Sequence, residues 1–80
     1  MDRVEVNVLE VFKSVLSLAD GSSTDALVYN QYPGWDSVAH MALVAGLEAA
    51  FDCMLDMQDI LDMSSFQKSV EIMRKYSAND

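Results

Sequence analysis

The run SVAHMALVAGLEAAF, residues 37–51, most narrows what this chain can become, because Glu48 is its one formally charged side chain. It falls short of the ~20 apolar residues that cross a bilayer. His40, Leu43, Val44, Leu47 and Phe51 recur at helical spacing, so the run reads as a helix with these residues turned inward. Val38, Met41 and Ala45 lie opposite, apolar yet facing outward. Asp36 stands just before the run, where a carboxylate caps the first free N–H groups.

With 80 residues, 51% hydrophobic, three Gly and one Pro, the chain is expected to form one small all-α domain over residues 1–80. A chain of this size buries only about 60–65% of its unfolded surface, which leaves no room for a deep enclosed catalytic cleft.

Val4, Val8, Val11, Phe12, Val15 and Leu16 predict a first helix over about 4–18 with one buried stripe. Residues 20–36, DGSSTDALVYNQYPGWD, are rich in turn formers and predict a long loop, broken by a short turn over 25–29. Leu27, Val28, Tyr29, Tyr32 and Trp35 pin that loop to the core and keep it ordered. Asp56 caps a short third helix over 57–62, and Ser64 with Gln67 reads as a capping box for a last helix over about 65–75. Phe66, Val70 and Met73 face inward there, while Arg74 and Lys75 complement the negative end of its dipole. The expected architecture is a four-helix bundle with a long first loop and a short third helix.

The net charge of −8 sits wholly in the middle of the chain, since no Lys or Arg occurs between Ser14 and Gln67. Asp20, Asp25, Asp36, Glu48, Asp52, Asp56, Asp59 and Asp62 fall in that stretch. Such a field repels nucleic acid and anionic membrane and favours protein partners with basic patches. The N-terminus alternates charged and apolar residues and lacks a signal-peptide core, so a cytoplasmic monomer is expected. Cys53 is the sole cysteine and is expected to be a buried free thiol.

Ser37 carries the most distinctive chemistry. A hydroxyl in the first turn of a helix meets unpaired N–H groups and the positive end of the dipole, which stabilise a phosphodiester attached there. At the end of a constrained loop, another enzyme can reach it without unfolding the domain.

The segment GWDSVAHMALVAGLEAAFD resembles the Asp-Ser-Leu motif, following helix and Leu-Glu-x-x-Phe ending of the acyl carrier protein family, and the likeness runs ungapped from Gly34 to about Met73. The resemblance implies a non-catalytic carrier, with 4′-phosphopantetheine joined to Ser37 and Asp36 helping a phosphopantetheinyl transferase engage. It further implies an acyl pocket lined by His40, Val44, Leu47, Leu55, Ile60 and Met63. Partner docking would fall to Val38, Met41, Ala45, Glu48, Asp52, Asp56 and Asp59. The implied partners are the transferase, an acyl-loading ligase or transferase, and acyl-processing enzymes such as ketosynthases.

Ala39, Ala42, Ala49 and Ala50 stand where fatty acid carriers often have Asp or Glu, which points to a specialised polyketide- or fatty-acid-like pathway and to apolar docking. Gly34 fits one glycine of the peptidyl-carrier Gly-Gly-x-Ser signature and the other is broken, so an aminoacyl cargo is an alternative. A rival of another class is an acidic helical interaction module without a cofactor. Asp56, Asp59 and Asp62 share one side of a helical turn, yet a solvated face is preferred to a metal site. Ser37 and His40 lack an orienting third residue and an oxyanion hole, which argues against a hydrolase. Trp35 is expected to pack the loop onto the bundle.

Overall fold

The computed structural model describes residues 2–77; the ends of the expected 1–80 domain lie outside them. The chain is mostly helical, in the order α1 (Arg3–Leu16), a 3-10 turn (Thr24–Ala26), α2 (Ser37–Phe51), α3 (Met57–Asp62) and α4 (Phe66–Tyr76).

Each helix opens on a side chain that accepts a free backbone N–H: Asp2 from Glu5, Asp36 from Ala39, Asp56 from Asp59 and Ser65 from Lys68. The cap of α4 is therefore Ser65, one residue beyond the expected Ser64, and the capping box with Gln67 does not form. The shift has a tertiary cause, because residues 64–66 pair with the first loop. Tyr29 N–H donates to Ser64 C=O at 2.9 Å and Phe66 N–H to Leu27 C=O at 3.0 Å, which holds Ser65 extended.

α1 stops at Leu16, two residues short of expectation, because Ser17 turns left-handed at φ 54° and Leu18 N–H folds back to Lys13 C=O. α2 ends the same way at Asp52, φ 51°, with Cys53 N–H returning to Glu48 C=O. The expected turn over 25–29 is a 3-10 turn ending at Ala26.

The core forms where α1 packs on both α2 and α4. Val8, Phe12, Leu43, Leu47, Phe66 and Met73 are all but fully buried. The long loop adds Leu27 and Trp35 to this core, each 1% exposed, so it is an ordered part of the fold as expected. Phe12 sits between Trp35 and Phe66 in edge-to-face contacts of 5.1 and 5.3 Å, tying loop, α1 and α4 together. Gly34 takes φ +94° where the loop turns into Trp35, a dihedral that requires glycine.

Candidate functional site

Ser37 is the first residue of α2 and is exposed. Its position follows from two neighbours. Asp36 accepts Ala39 N–H on Oδ1 at 2.9 Å and His40 N–H on its carbonyl at 2.8 Å, which fixes the first turn. Trp35, buried behind it, fixes the loop. The N–H groups of Ser37 and Val38 belong to the first turn and have no intrahelical acceptor, so the positive end of α2 faces solvent at the serine.

A groove of about 310 Å³ opens beside Ser37. Ser37, His40 and Met41 contribute from α2, Met57, Ile60 and Leu61 from α3, Met63 and Ser64 from the turn into α4, and Tyr29 from the long loop. Its rim is apolar and solvent-facing, with Met41, Met57 and Leu61 at 57%, 68% and 70% exposure, whereas Met63 at its base is 1% exposed.

His40 is bound at both ring nitrogens. Trp35 Nε1–H donates to Nδ1 at 3.1 Å, and Nε2 lies 2.9 Å from Ile60 C=O. Only the neutral tautomer with its hydrogen on Nε2 satisfies both contacts. The ring lies within 18° of parallel to the Trp35 indole, as the bond between their edges requires, and meets Tyr29 edge-on at 5.0 Å. With both nitrogens engaged elsewhere, His40 offers no base to the Ser37 hydroxyl, so the fold builds no Ser-His nucleophile pair.

Of the six expected pocket residues, His40, Ile60 and Met63 line the groove, and Val44, Leu47 and Leu55 do not. Those three are core residues, 3%, 0% and 7% exposed, and pack behind it. The groove instead takes Tyr29, Met57, Leu61 and Ser64, which the sequence reading missed, and Met41, which had been assigned to docking. Met57 and Leu61 had a signal: two large apolar residues one turn apart on a helix too short to bury both.

The expected docking residues part company. Val38, Met41 and Ala45 form an exposed strip on α2, with Val38 at 78% exposure. Asp52 and Asp56 are exposed at the end of α2 and the start of α3. Glu48 is half-buried and uses Oε2 to accept Leu55 N–H at 3.0 Å, holding the α2–α3 connection.

Asp59 is not a docking charge. It is 5% exposed, and its two oxygens take Lys75 Nζ at 2.7 Å and the Tyr76 hydroxyl at 2.6 Å. The bonds from Lys75 and Tyr76 hold its carboxyl below the usual carboxylate range against the opposing effect of burial. Asp59 in turn raises the Lys75 ammonium. With Asp56 N–H donating to Tyr76 Oη at 3.3 Å, this network fastens α3 to the end of α4.

Asp56 caps α3 and Asp62 accepts from Gln58 at 3.1 Å, so the three aspartates do not converge. Among the described residues no group of three or more metal-ligating side chains occurs. Cys53 is half-buried rather than buried, and burial, then Glu48 and Asp52, pushes its thiol up. No helix among the described residues is long and apolar enough to cross a membrane.

Comparison with known protein families, curated proteins and solved structures gives no match to this chain.

Proposed function

We propose that this protein is a carrier of the acyl carrier type, in which Ser37 takes a 4′-phosphopantetheine arm and the groove beside it shelters what the arm holds. One observation carries the reading: an exposed serine hydroxyl at the N-terminus of α2 stands at the rim of an apolar groove of about 310 Å³.

The residues present suit that group. The free N–H groups and dipole of α2 favour the negative phosphodiester at Ser37. Asp36 keeps the first turn formed while its exposed carboxylate faces an incoming transferase. In the loading step Ser37 Oγ attacks the pyrophosphate of coenzyme A. A phosphodiester forms on Oγ, 3′,5′-adenosine bisphosphate leaves, and the hydroxyl proton passes to a base on the transferase. When bound, the arm supplies a terminal thiol that holds acyl groups as thioesters.

The exposed strip of Val38, Met41 and Ala45 is the surface we assign to the transferase, the acyl-loading enzyme and processing enzymes such as ketosynthases. Its lack of carboxylates shifts docking from charge steering toward apolar contact, which fits a specialised polyketide- or fatty-acid-like pathway. A second reading, an interaction module without a cofactor, draws on the same strip together with Met54, 82% exposed.

The purified protein, incubated with coenzyme A, magnesium and a promiscuous phosphopantetheinyl transferase, should gain the mass of one arm, and Ser37→Ala should gain none. Absence of a gain favours the interaction module, and a gain that survives Ser37→Ala removes Ser37 from its role.

A further inference from the structure

The groove stops sooner than the row of apolar residues on α2 would allow. From Ser37 it extends to His40 and Met41, one helical turn short of Val44, and Val44 and Leu47 lie beyond it in the core. His40 is the groove residue one helical turn before Val44.

Its ring is unusually well fixed for a groove residue. One nitrogen is bound to buried Trp35, the other to the Ile60 carbonyl on the opposite wall, and the ring lies within 18° of parallel to the indole that it bonds edge to edge. Swinging it aside breaks both hydrogen bonds, leaves Trp35 Nε1–H without a partner in a partly buried setting, and leaves Ile60 C=O only the longer bond from Met63 N–H at 3.4 Å. A methionine or leucine at this place would yield to an entering chain; this histidine holds its position.

The space in front of it is limited. A dry apolar cavity of about 150 Å³ holds a benzene ring, so a groove of about 310 Å³ takes roughly twelve non-hydrogen atoms. The thioester end of the arm fills part of that, which leaves room for roughly six to eight carbons of an acyl chain.

We propose that His40, locked by Trp35 and Ile60, is the length stop of the groove. The cargo it selects is an apolar acyl group of about six to eight carbons, and longer chains are turned out into solvent. This inference rests on the carrier reading of Ser37.

The test loads the protein with butyryl, octanoyl and dodecanoyl groups from the corresponding acyl-coenzyme A, using the promiscuous transferase, and follows thioester cleavage by hydroxylamine. The octanoyl form should be cleaved roughly tenfold more slowly than free octanoyl-coenzyme A, with the dodecanoyl form within about threefold of its free thioester, as expected for burial of one and exposure of the other. Octanoyl loading should also move the Trp35 indole N–H resonance, the only one in the chain, because that N–H ends on the stop.

His40→Ala should bring dodecanoyl protection up to the octanoyl level. His40→Val, which trims the ring and keeps an apolar side chain, should move the profile the same way by less, and serves if His40→Ala does not fold. Equal protection of octanoyl and dodecanoyl in the unmodified sequence, no protection of either, or an unchanged profile in folded His40 variants overturns the length stop and leaves the carrier reading standing. Failure of any arm to attach to Ser37 overturns both.

Discussion

Two of the grooves beside α2 are nearly the same size. One, about 310 Å³, opens toward α3 beside Ser37; the other, about 280 Å³, runs between α2 and α1 past Asn7, Glu10, Val11, Ser14, Gly46 and Ala50. Volume therefore does not mark the site, and the chemistry of the walls does. In the α1 groove the helices are in close contact, since a Cβ on Gly46 would stand 2.8 Å from Val11 Cγ1. That groove is a crease over a packed seam, where Asn7, Glu10 and Ser14 alternate with Val11 and Val15. In the Ser37 groove the His40–Ile60 hydrogen bond joins the α2 and α3 walls, and α3 is itself fastened to α4 by Asp59 with Lys75 and Tyr76. Large apolar side chains remain uncovered at its rim, beside the exposed Ser37 hydroxyl at the N-terminus of α2.

Substitutions should separate a packed side from an open one. The largest effect is expected at Trp35, where the open side joins the core: Trp35→Ala should cost about 3–5 kcal/mol in urea unfolding, by cavity formation and loss of the His40 hydrogen bond. At the α1 seam, Gly46→Val should cost about 1–3 kcal/mol by overpacking, and Val11→Ala in the same chain should recover part of it. An unchanged Gly46→Val midpoint would mean that the two grooves are equally loose.

The polar fastening of α3 predicts a dependence on pH. Because the native Asp59 carboxyl is held below its ordinary value, its stabilisation is present above about pH 4 and is lost as the pH falls through the lowered native value. Asp59→Asn should therefore flatten the acid limb of a stability-versus-pH curve; a limb of unchanged slope would show that the network does not fasten α3. The smallest effect belongs to the open rim, where Leu61→Ala should change stability by no more than about 0.5 kcal/mol while loosening the grip on a loaded chain. A loss comparable to that at Gly46 would place Leu61 in the packed core instead.

The helices and two of their four caps were legible in the sequence because the signals are local. Asp36 and Asp56 stand immediately before apolar runs and cap them as read. What failed depended on distant partners or on a turn that no residue type marks. Ser65 replaces Ser64 as a cap because the loop around Val28 pairs with it, and α1 ends early at a left-handed serine that no glycine announces. In the candidate site, Ser37, His40, Ile60 and Met63 were found from spacing and resemblance. Val44 and Leu47 meet the core and not the groove because α2 is apolar around most of its circumference, so its sequence does not say which inward residues meet which; Leu55, in the α2–α3 connection, is held inward where its N–H bonds Glu48. Asp59 looked like one more exposed aspartate until α4 brought Lys75 and Tyr76 against it.

The claim that ties these features together is that whatever Ser37 carries lies in the α3-side groove and not in the α1 crease. Amide and indole resonances of the arm-loaded, octanoylated protein, set against those of the unloaded protein, test it directly. The account predicts shifts concentrated at Tyr29, Trp35, His40, Met41, Ile60, Leu61 and Ser64, with Val11, Gly46 and Ala50 unmoved. Shifts centred on Val11 and Gly46, or confined to Ser37 and its immediate neighbours, would contradict it.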